Sequence, residues 1–384
     1  MKNVKIVIGA NYGDEGKGMM TRHFTVDAKN KGDNSIIVFH NGTAQRGHTV
    51  DYNPEFRHVY HHFGSGTGDG ATTYFAETFL VHPMEFRREW HELSAAGMMP
   101  PTALCDPKAK VITPFDMVVD RATEEWIAKQ HGEREFGSCG YGSWCAAEDR
   151  IPMGKTAYTV EDFMHFDAIP YLMEQVWKDC RSILFARGVE IEKTSFAHVM
   201  RDRTAIIQNF TKDLKFFYWN VLTIPFDTLW ENPYYNTFIF ENGQGLGLDV
   251  DVDNDWHTTS HTGIYNPVTM LRDKDFKAEV CYVSRSYVTR HGVGPLEDEV
   301  KKSDINSHMI DITNVPNDFQ GSLRYAGLDL PSQYDRIVTD YAKVLHDDRF
   351  TRSVALTHLN EAPTDMMTSA TYISNNPYTV KENK

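Results

Sequence analysis

Val4-Lys5-Ile6-Val7-Ile8-Gly9-Ala10-Asn11-Tyr12-Gly13-Asp14-Glu15-Gly16-Lys17-Gly18 is the stretch that decides the fold. A β-branched run that ends in a glycine turn is the pattern of a buried central strand feeding a tight loop. Residues 18–31 have helical length and composition, and Ser35-Ile36-Ile37-Val38-Phe39 then reads as a second buried strand before Asn41-Gly42. Strand, glycine loop, helix, strand is a βαβ unit. Apolar runs at 110–113, 237–240, 279–283 and 354–356 are each followed by polar, glycine- or asparagine-bearing turns, so they are expected to join the same sheet. Helices are expected over 83–96, 115–129, 160–186 and 332–346. With no solenoid repeat and no Pro-, Gly- or Ser-rich linker, the expectation is one α/β domain over residues 1–384, a central mostly parallel sheet flanked by helices.

Lys plus Arg total 39 against 53 Asp plus Glu in 384 residues, a formal net charge of −14. That balance argues against broad binding of nucleic acid, which needs many cations on phosphates. A pocket for small anions remains compatible with it, because a few clustered basic groups dominate locally. Apolar residues make up 41% and aromatics 12%, ample for a core, yet no run reaches the roughly 18 apolar residues of a membrane span. The start runs straight into the glycine turn without the apolar region of a signal peptide. Five scattered cysteines without a CxxC pair suit free thiols in a reducing cytoplasm and give no zinc cluster.

Four glycine-bearing loops carry the chemistry. In the first, 9–18, backbone N–H groups, a helix start and Lys17 suit phosphate oxygens, although the spacing is neither G-x-x-x-x-G-K-[ST] nor G-x-G-x-x-G. Asp14 and Glu15 there need a reason, since carboxylates repel phosphates unless a metal ion intervenes or one acts as a base; Asp14 can serve either way. The second loop, Asn41 to Thr49, sets His48, a general acid near neutral pH, beside Arg46. The third, Gly137-Ser138-Cys139-Gly140-Tyr141-Gly142-Ser143, offers hydroxyl, thiol and amide donors. In the fourth, Phe240-Glu241-Asn242-Gly243-Gln244-Gly245, Gln244 supplies an amide that donates and accepts. Asp249, Asp251, Asp253 and Asp255 beyond it lack the spacing of a calcium loop and read as a solvated segment.

In this order the segments resemble the adenylosuccinate synthetase family, whose loops read G-x-x-W-G-D-E-G-K-G, N-A-G-H-T, G-T-T-G-R-G-I-G and E-G-A-Q-G-x-x-L-D. Residues 258–262 and Tyr287-Val288-Thr289-Arg290-His291-Gly292-Val293-Gly294-Pro295 extend the likeness to V-T-S-S-N-T and Y-S-T-R-V-G-A-G-P. The resemblance implies a P-loop NTPase-related fold and a two-step ligase. Asp14 takes the N1 proton of a 6-oxopurine nucleotide, O6 attacks the γ-phosphate of a triphosphate beside His48, and the amino group of L-aspartate then displaces phosphate from C6. It also implies Mg²⁺ on Asp14 and the Gly47 backbone, and a homodimer. The partner's customary arginine falls near Ile151-Pro152-Met153, where this sequence has none.

Two departures narrow the substrates. Phe319-Gln320-Gly321-Ser322-Leu323-Arg324 resembles the family's aspartate loop, T-T-G-R-R-R-R-T-G-W-L-D, with Arg324 on a carboxylate-binding arginine. Ser322 replaces the arginine that meets the ribose 2′-hydroxyl, which removes a reason to prefer ribonucleotides. Leu356-Thr357-His358-Leu359-Asn360 replaces the guanine-reading L-T-K-L-D, and asparagine pairs with adenine where aspartate cannot. Both changes, and the short segment between Asn360 and Ser374, resemble the bacteriophage branch that succinylates dGMP to make 2-aminoadenine nucleotides, some of whose members carry serine where this chain has Asp14. The resemblance then assigns the phosphate donor, ATP or dATP, to Gly13, Glu15, Gly16, Lys17, Gly18, Gly47, Thr49 and Asn360. It assigns dGMP to Asp14, Gln45, Ser138, Cys139, Gln244, Thr258 and His291, and aspartate to Gly321, Ser322 and Arg324. An ordinary IMP- and GTP-using enzyme and a non-catalytic nucleotide-binding homologue are the other readings.

Overall fold

A computed structural model describes residues 1–98, 103–132, 140–149, 157–253, 256–309, 321–362, 364 and 369–383. In chain order the strands are β1 (Lys2–Gly9), β2 (Ser35–Phe39), β3 (His48–Asn53), β4 (Phe56–Tyr60), β5 (Thr72–Phe75), β6 (Leu80–Val81), β7 (Ala103–Cys105), β8 (Lys110–Val111) and β9 (Val221–Thr223). They continue with β10 (Thr237–Glu241), β11 (Phe276–Arg285), β12 (Val288–Arg290), β13 (Glu299–Val300), β14 (Arg324–Ala326), β15 (Phe350–Thr357), β16 (Tyr372–Ile373) and β17 (Lys381–Glu382). Ten of them form one sheet in the order β17-β16-β15-β11-β1-β10-β2-β5-β7-β9, parallel throughout except for the β16–β17 pair.

The expected first unit is present: β1, then α1 (Lys17–Asn30), then β2, with β10 inserted between the two strands. β1 shows why its sequence is nearly all apolar. Val4, Ile6 and Ile8 face one core and Val7 the other, all at 0% exposure, as a strand covered on both faces requires. Lys5, on the Val7 side, is neutralised by Glu279 across the β1–β11 pair at 2.6 Å. α1, α2 (Pro83–Ala95), α3 (Pro114–His131), α4 (Ile169–Ala186) and the helix Arg203–Asn220 bury their apolar faces in the Val7-side cluster, and the helix Leu330–Tyr341 adds Ile337 to the other.

Several boundaries differ from expectation for local reasons. The run at 110–113 forms only β8, which pairs with β6 outside the main sheet, because Thr113 is spent as the N-cap of α3 in a capping box with Asp116. The helix expected from 160 begins at Ile169. Pro170 sits in its first turn, where a missing N–H costs nothing, while residues 161–164 and 166–168 form short 3₁₀ turns. The helix expected over 332–346 spans Leu330–Tyr341, opened by the Asp329 cap, and gives way to a 3₁₀ turn at 342–344. β5, β7 and β9 and the helix Arg203–Asn220 carried no expectation; the strands are three or four residues long, too short for a period to show. No helix among the described residues is long and apolar enough to cross a membrane.

Candidate active site

The loop from β1 to α1 turns through Gly13 (φ 111°), Asp14 (φ 58°) and Gly16 (φ 90°). Asp14 is the unusual member, a non-glycine residue in the left-handed region. Side chains from three strands hold this turn by three consecutive carbonyls. Thr289 Oγ1 donates to Gly13 at 3.4 Å, Arg285 Nε to Asp14, and Thr357 Oγ1 to Glu15 at 2.9 Å. From the other side, Arg336 donates to the Ala10 carbonyl at 3.1 Å and to Asn11 Oδ1 at 2.6 Å. Gly9 must be glycine, since a Cβ there would fall on the Glu15 carboxylate.

Glu15 and Lys17 are both buried and lie 3.5 Å apart. Burial pushes the Glu15 carboxyl up against the pull of Lys17, and its Oε1 accepts the Asn11 N–H at 2.5 Å. Glu15 thus serves the loop's interior, with its second oxygen turned to Lys17. Asp14 keeps a quarter of its side chain exposed and pairs with His291 Nε2 at 2.9 Å. Burial opposes its charge, yet His291, with Arg285 and Lys17, holds the carboxyl well below its ordinary value. It is therefore ionised near neutral pH.

His48 opens β3 at the start of a hairpin rather than within the glycine loop. Its Nδ1 lies 2.7 Å from Glu241 Oε1, and Glu241 is wholly buried at the end of β10. Ser65 donates to the same carboxylate from its hydroxyl and, at 3.1 Å, from its N–H. Burial lowers the imidazole's proton affinity and Glu241 opposes that. A neutral His48 that donates Nδ1–H to Glu241 presents Nε2 to a ligand. α1 lies so close that a Cβ on Gly18 would meet the Thr49 carbonyl at 2.9 Å and the His48 backbone at 3.2 Å. Lys17 bears electrostatically on both Asp14 and His48, so the three side chains share one neighbourhood.

Gln244, at φ 56°, has its side-chain Oε1 buried without a hydrogen-bond partner among the described residues. Gln45 accepts from Ser143 at 3.5 Å, tying the third glycine stretch to the second. Thr258 lies half-buried and donates its N–H to the Leu248 carbonyl at 2.8 Å. Thr49 is half-buried, and Gly47, Gly321, Ser322 and Asn360 are exposed. Ser138, Cys139, Phe319, Gln320, residues 151–153 and Asp255 lie outside the described residues.

The arginines differ most from the sequence reading, which set Arg46 beside His48 and put Arg324 on a substrate carboxylate. Arg46 is buried against the Phe39 and Phe79 rings and donates to the carbonyls of Asn41, Thr43 and Glu241, propping the second and fourth loops together. Arg290 stacks on Tyr12 and donates to the carbonyls of Val293 and Pro295. Arg324 pairs with Glu299 across β13–β14 and donates to the Gly292 and Gly294 carbonyls, so an incoming carboxylate must compete with Glu299. Asp249 is not a solvated loop residue either. It is buried and accepts the Thr262 and Gly263 N–H groups at 2.6 and 3.2 Å, and against burial His261 with the Asp251 and Thr262 N–H groups holds it down to about 2.

Glu241, Arg285, Arg336 and Ser65 were not singled out as site residues from the sequence. Glu241 lay inside the fourth motif, and a buried acid ending an apolar strand was its available signal. The others come from distant segments and carry none.

A model of the adenylosuccinate synthetase family matches residues 6–325. An adenylosuccinate synthetase of Clostridium botulinum (strain Alaska E43 / Type E3) is 25% identical over 302 residues, 77% of this chain and 65% of that protein. One from Xylella fastidiosa (strain 9a5c) is 26% identical over 306 residues, 77% and 66% of the two chains. The chain thus spans about two thirds of the length of these relatives. In fold it is similar to a fully ligated adenylosuccinate synthetase from Plasmodium falciparum, with a TM-score of 0.67 at 17% identity over 93% of this chain and 77% of that one. It is also similar to the succinoaminodeoxyadenylate synthetase of cyanophage S-2L bound to dGMP and dATP, with a TM-score of 0.61 at 14% identity over 100% and 96%.

Proposed function

The chain belongs to the adenylosuccinate synthetase family, and on that premise we propose that it is a ligase joining L-aspartate to C6 of dGMP with cleavage of ATP. The observation that carries the reading is the convergence of an ionised Asp14, Lys17 and the Glu241-backed His48 on the β1–α1 loop. Asp14 leaves its His291 pairing to take the N1 proton of the purine. O6 then attacks the γ-phosphorus, and the bond to the β-phosphate breaks to release ADP. Lys17 meets the triphosphate charge, and anionic phosphates add to Glu241 in raising the proton affinity of His48, so that Nε2–H faces the oxygen on which charge develops. The amino group of aspartate attacks C6, phosphate leaves with its oxygen, and the amine's surplus proton passes to phosphate or water, so that N1 stays unprotonated beside the new C6–N bond. Phosphorylation is needed because a carbonyl oxygen is otherwise a poor leaving group.

Mg²⁺ suits the donor set, an ionised carboxylate at Asp14 and the exposed Gly47 backbone, both hard oxygens. When bound it would neutralise phosphate charge. The residues assigned to ATP, dGMP and aspartate by family likeness keep those roles in this reading, with Arg324 taking the aspartate carboxylate in exchange for Glu299. All 384 residues act as one unit, as a homodimer in the cytoplasm.

Incubating the protein with dGMP, GMP, IMP or dIMP, each with aspartate and ATP or GTP, tests it. Succinylated product from dGMP with ATP is expected, and exclusive use of IMP with GTP would replace the dGMP reading with ordinary adenylosuccinate synthesis. The retained Asp14 supports that second reading. Ser322 is exposed, so Ser322→Arg can be accommodated. It is expected to raise the ribo-to-deoxyribo ratio of kcat/KM by roughly tenfold, measured with GMP against dGMP; an unchanged ratio refutes the 2′-hydroxyl argument.

A further inference from the structure

Two of the three tethers on the 13–15 carbonyls lead to the same distant segment. Thr357 Oγ1, which holds the Glu15 carbonyl, also lies 2.7 Å from His358 Nδ1. Arg285, which holds the Asp14 carbonyl, donates from Nη1 to the Tyr287 hydroxyl at 2.6 Å, and that hydroxyl donates to Glu361. The Glu361 N–H returns to the His358 carbonyl at 2.9 Å, and Asn306 clamps the Glu361 carbonyl at 2.8 Å. Asn360, the residue placed to read the donor base, stands inside this closed set. Tyr287 is buried at 1% exposure, and its hydroxyl is the joint between the two halves, accepting on one side and donating on the other.

Asp14 at φ 58° has no glycine's freedom to sit there, so its backbone depends on what grips the carbonyl. The aim of its carboxylate follows from that backbone. We propose that Tyr287 is a positioning residue that couples the 357–361 segment to Asp14, so that a purine seated at Asn360 sets the direction of the carboxylate that meets the acceptor. The proposal rests on the functional reading above, in which 357–361 takes the donor base and Asp14 the acceptor. Its consequence is reciprocal: donor and acceptor nucleotides tighten each other's binding through a phenol that touches neither.

The test is titration of dGMP with and without the non-hydrolysable imido analogue of ATP. In the wild type the analogue should tighten dGMP by about tenfold. Tyr287→Phe keeps the ring and loses only the hydroxyl, and should reduce that coupling to below about twofold while each nucleotide alone binds within about threefold of wild type. Glu361→Gln retains an acceptor and should preserve most of the coupling, whereas Glu361→Ala should lose it. An unaltered thermal midpoint shows that Tyr287→Phe still folds. A second readout needs no nucleotide: amide hydrogen exchange at residues 13–16 should quicken in Tyr287→Phe and Glu361→Ala, but not in Glu361→Gln. Coupling retained in Tyr287→Phe, or exchange at 13–16 unchanged, overturns the proposal. Use of IMP in place of dGMP would overturn the acceptor assignment and leave the tether standing, since exchange reads it directly.

Discussion

Replacing His48 with alanine is expected to lower turnover by roughly 10²-fold or more, with both nucleotides still binding near their wild-type strength. In the proposed reading the imidazole meets the ligand through Nε2, because Nδ1 is committed to Glu241. Removing it deletes a charge-stabilising group whose value is greatest in the transition state, so kcat falls further than affinity. Glu241→Gln should give a smaller loss of about tenfold, since an amide oxygen still accepts from Nδ1–H but no longer steadies an imidazolium. Phosphate release under saturating substrates, beside a nucleotide titration, measures both. Wild-type turnover in His48→Ala would remove His48 from the chemistry.

The second large effect is acid sensitivity. His40 and His82 are wholly buried, and burial lowers each imidazole to about 3; His62, packed beside His82, is also held well below its usual value. In the unfolded chain such groups titrate near ~6.5. The folded state therefore binds fewer protons, so this stability is complete above the unfolded value. It is lost as pH falls below that value toward about 3, where the folded imidazoles of His40 and His82 would themselves protonate. Between pH 7 and 5 the loss is at most about 2 kcal/mol for each of these two histidines. Urea unfolding at the two pH values measures it. His82→Gln, which cannot charge, should remove one share of the slope, and a slope unchanged in that variant would refute the attribution.

The parts of this architecture visible in the sequence are those built from consecutive residues. β1, its glycine loop, α1 and β2 could be read because nearly unbroken apolar strands and a helix of about four turns leave a pattern in one window. The ends of α4 and of the helix Leu330–Tyr341 shifted because a proline or a cap settles a boundary that periodicity leaves open. Asp14, Lys17 and His48 stand out in the sequence because each falls in a glycine-bearing stretch that follows an apolar run. The partners that make them usable do not, because Glu241 reaches His48 across 193 positions and Arg285 reaches Asp14 across 271. The fold likewise places the Arg46 guanidinium against two aromatic rings and three carbonyls, a setting that its charge alone does not announce.

The strand order has a geographical meaning. β15, β11, β1, β10 and β2 are neighbours and parallel, so the segments that follow them leave from one edge in the sequence 358–361, 286–291, 10–17, 242–249 and 40–48. With strands spaced about 4.8 Å apart, these five tips form a row about 19 Å long. Two nucleotides laid end to end, phosphates inward, are of that scale. Asn360 stands at one end of the row, Gln244 and His48 toward the other, and Lys17 at its midpoint. In the proposed reading the sheet works as a ruler: exchanging a tip at either end alters which nucleotide is read there, while the point of transfer between them stays where it was.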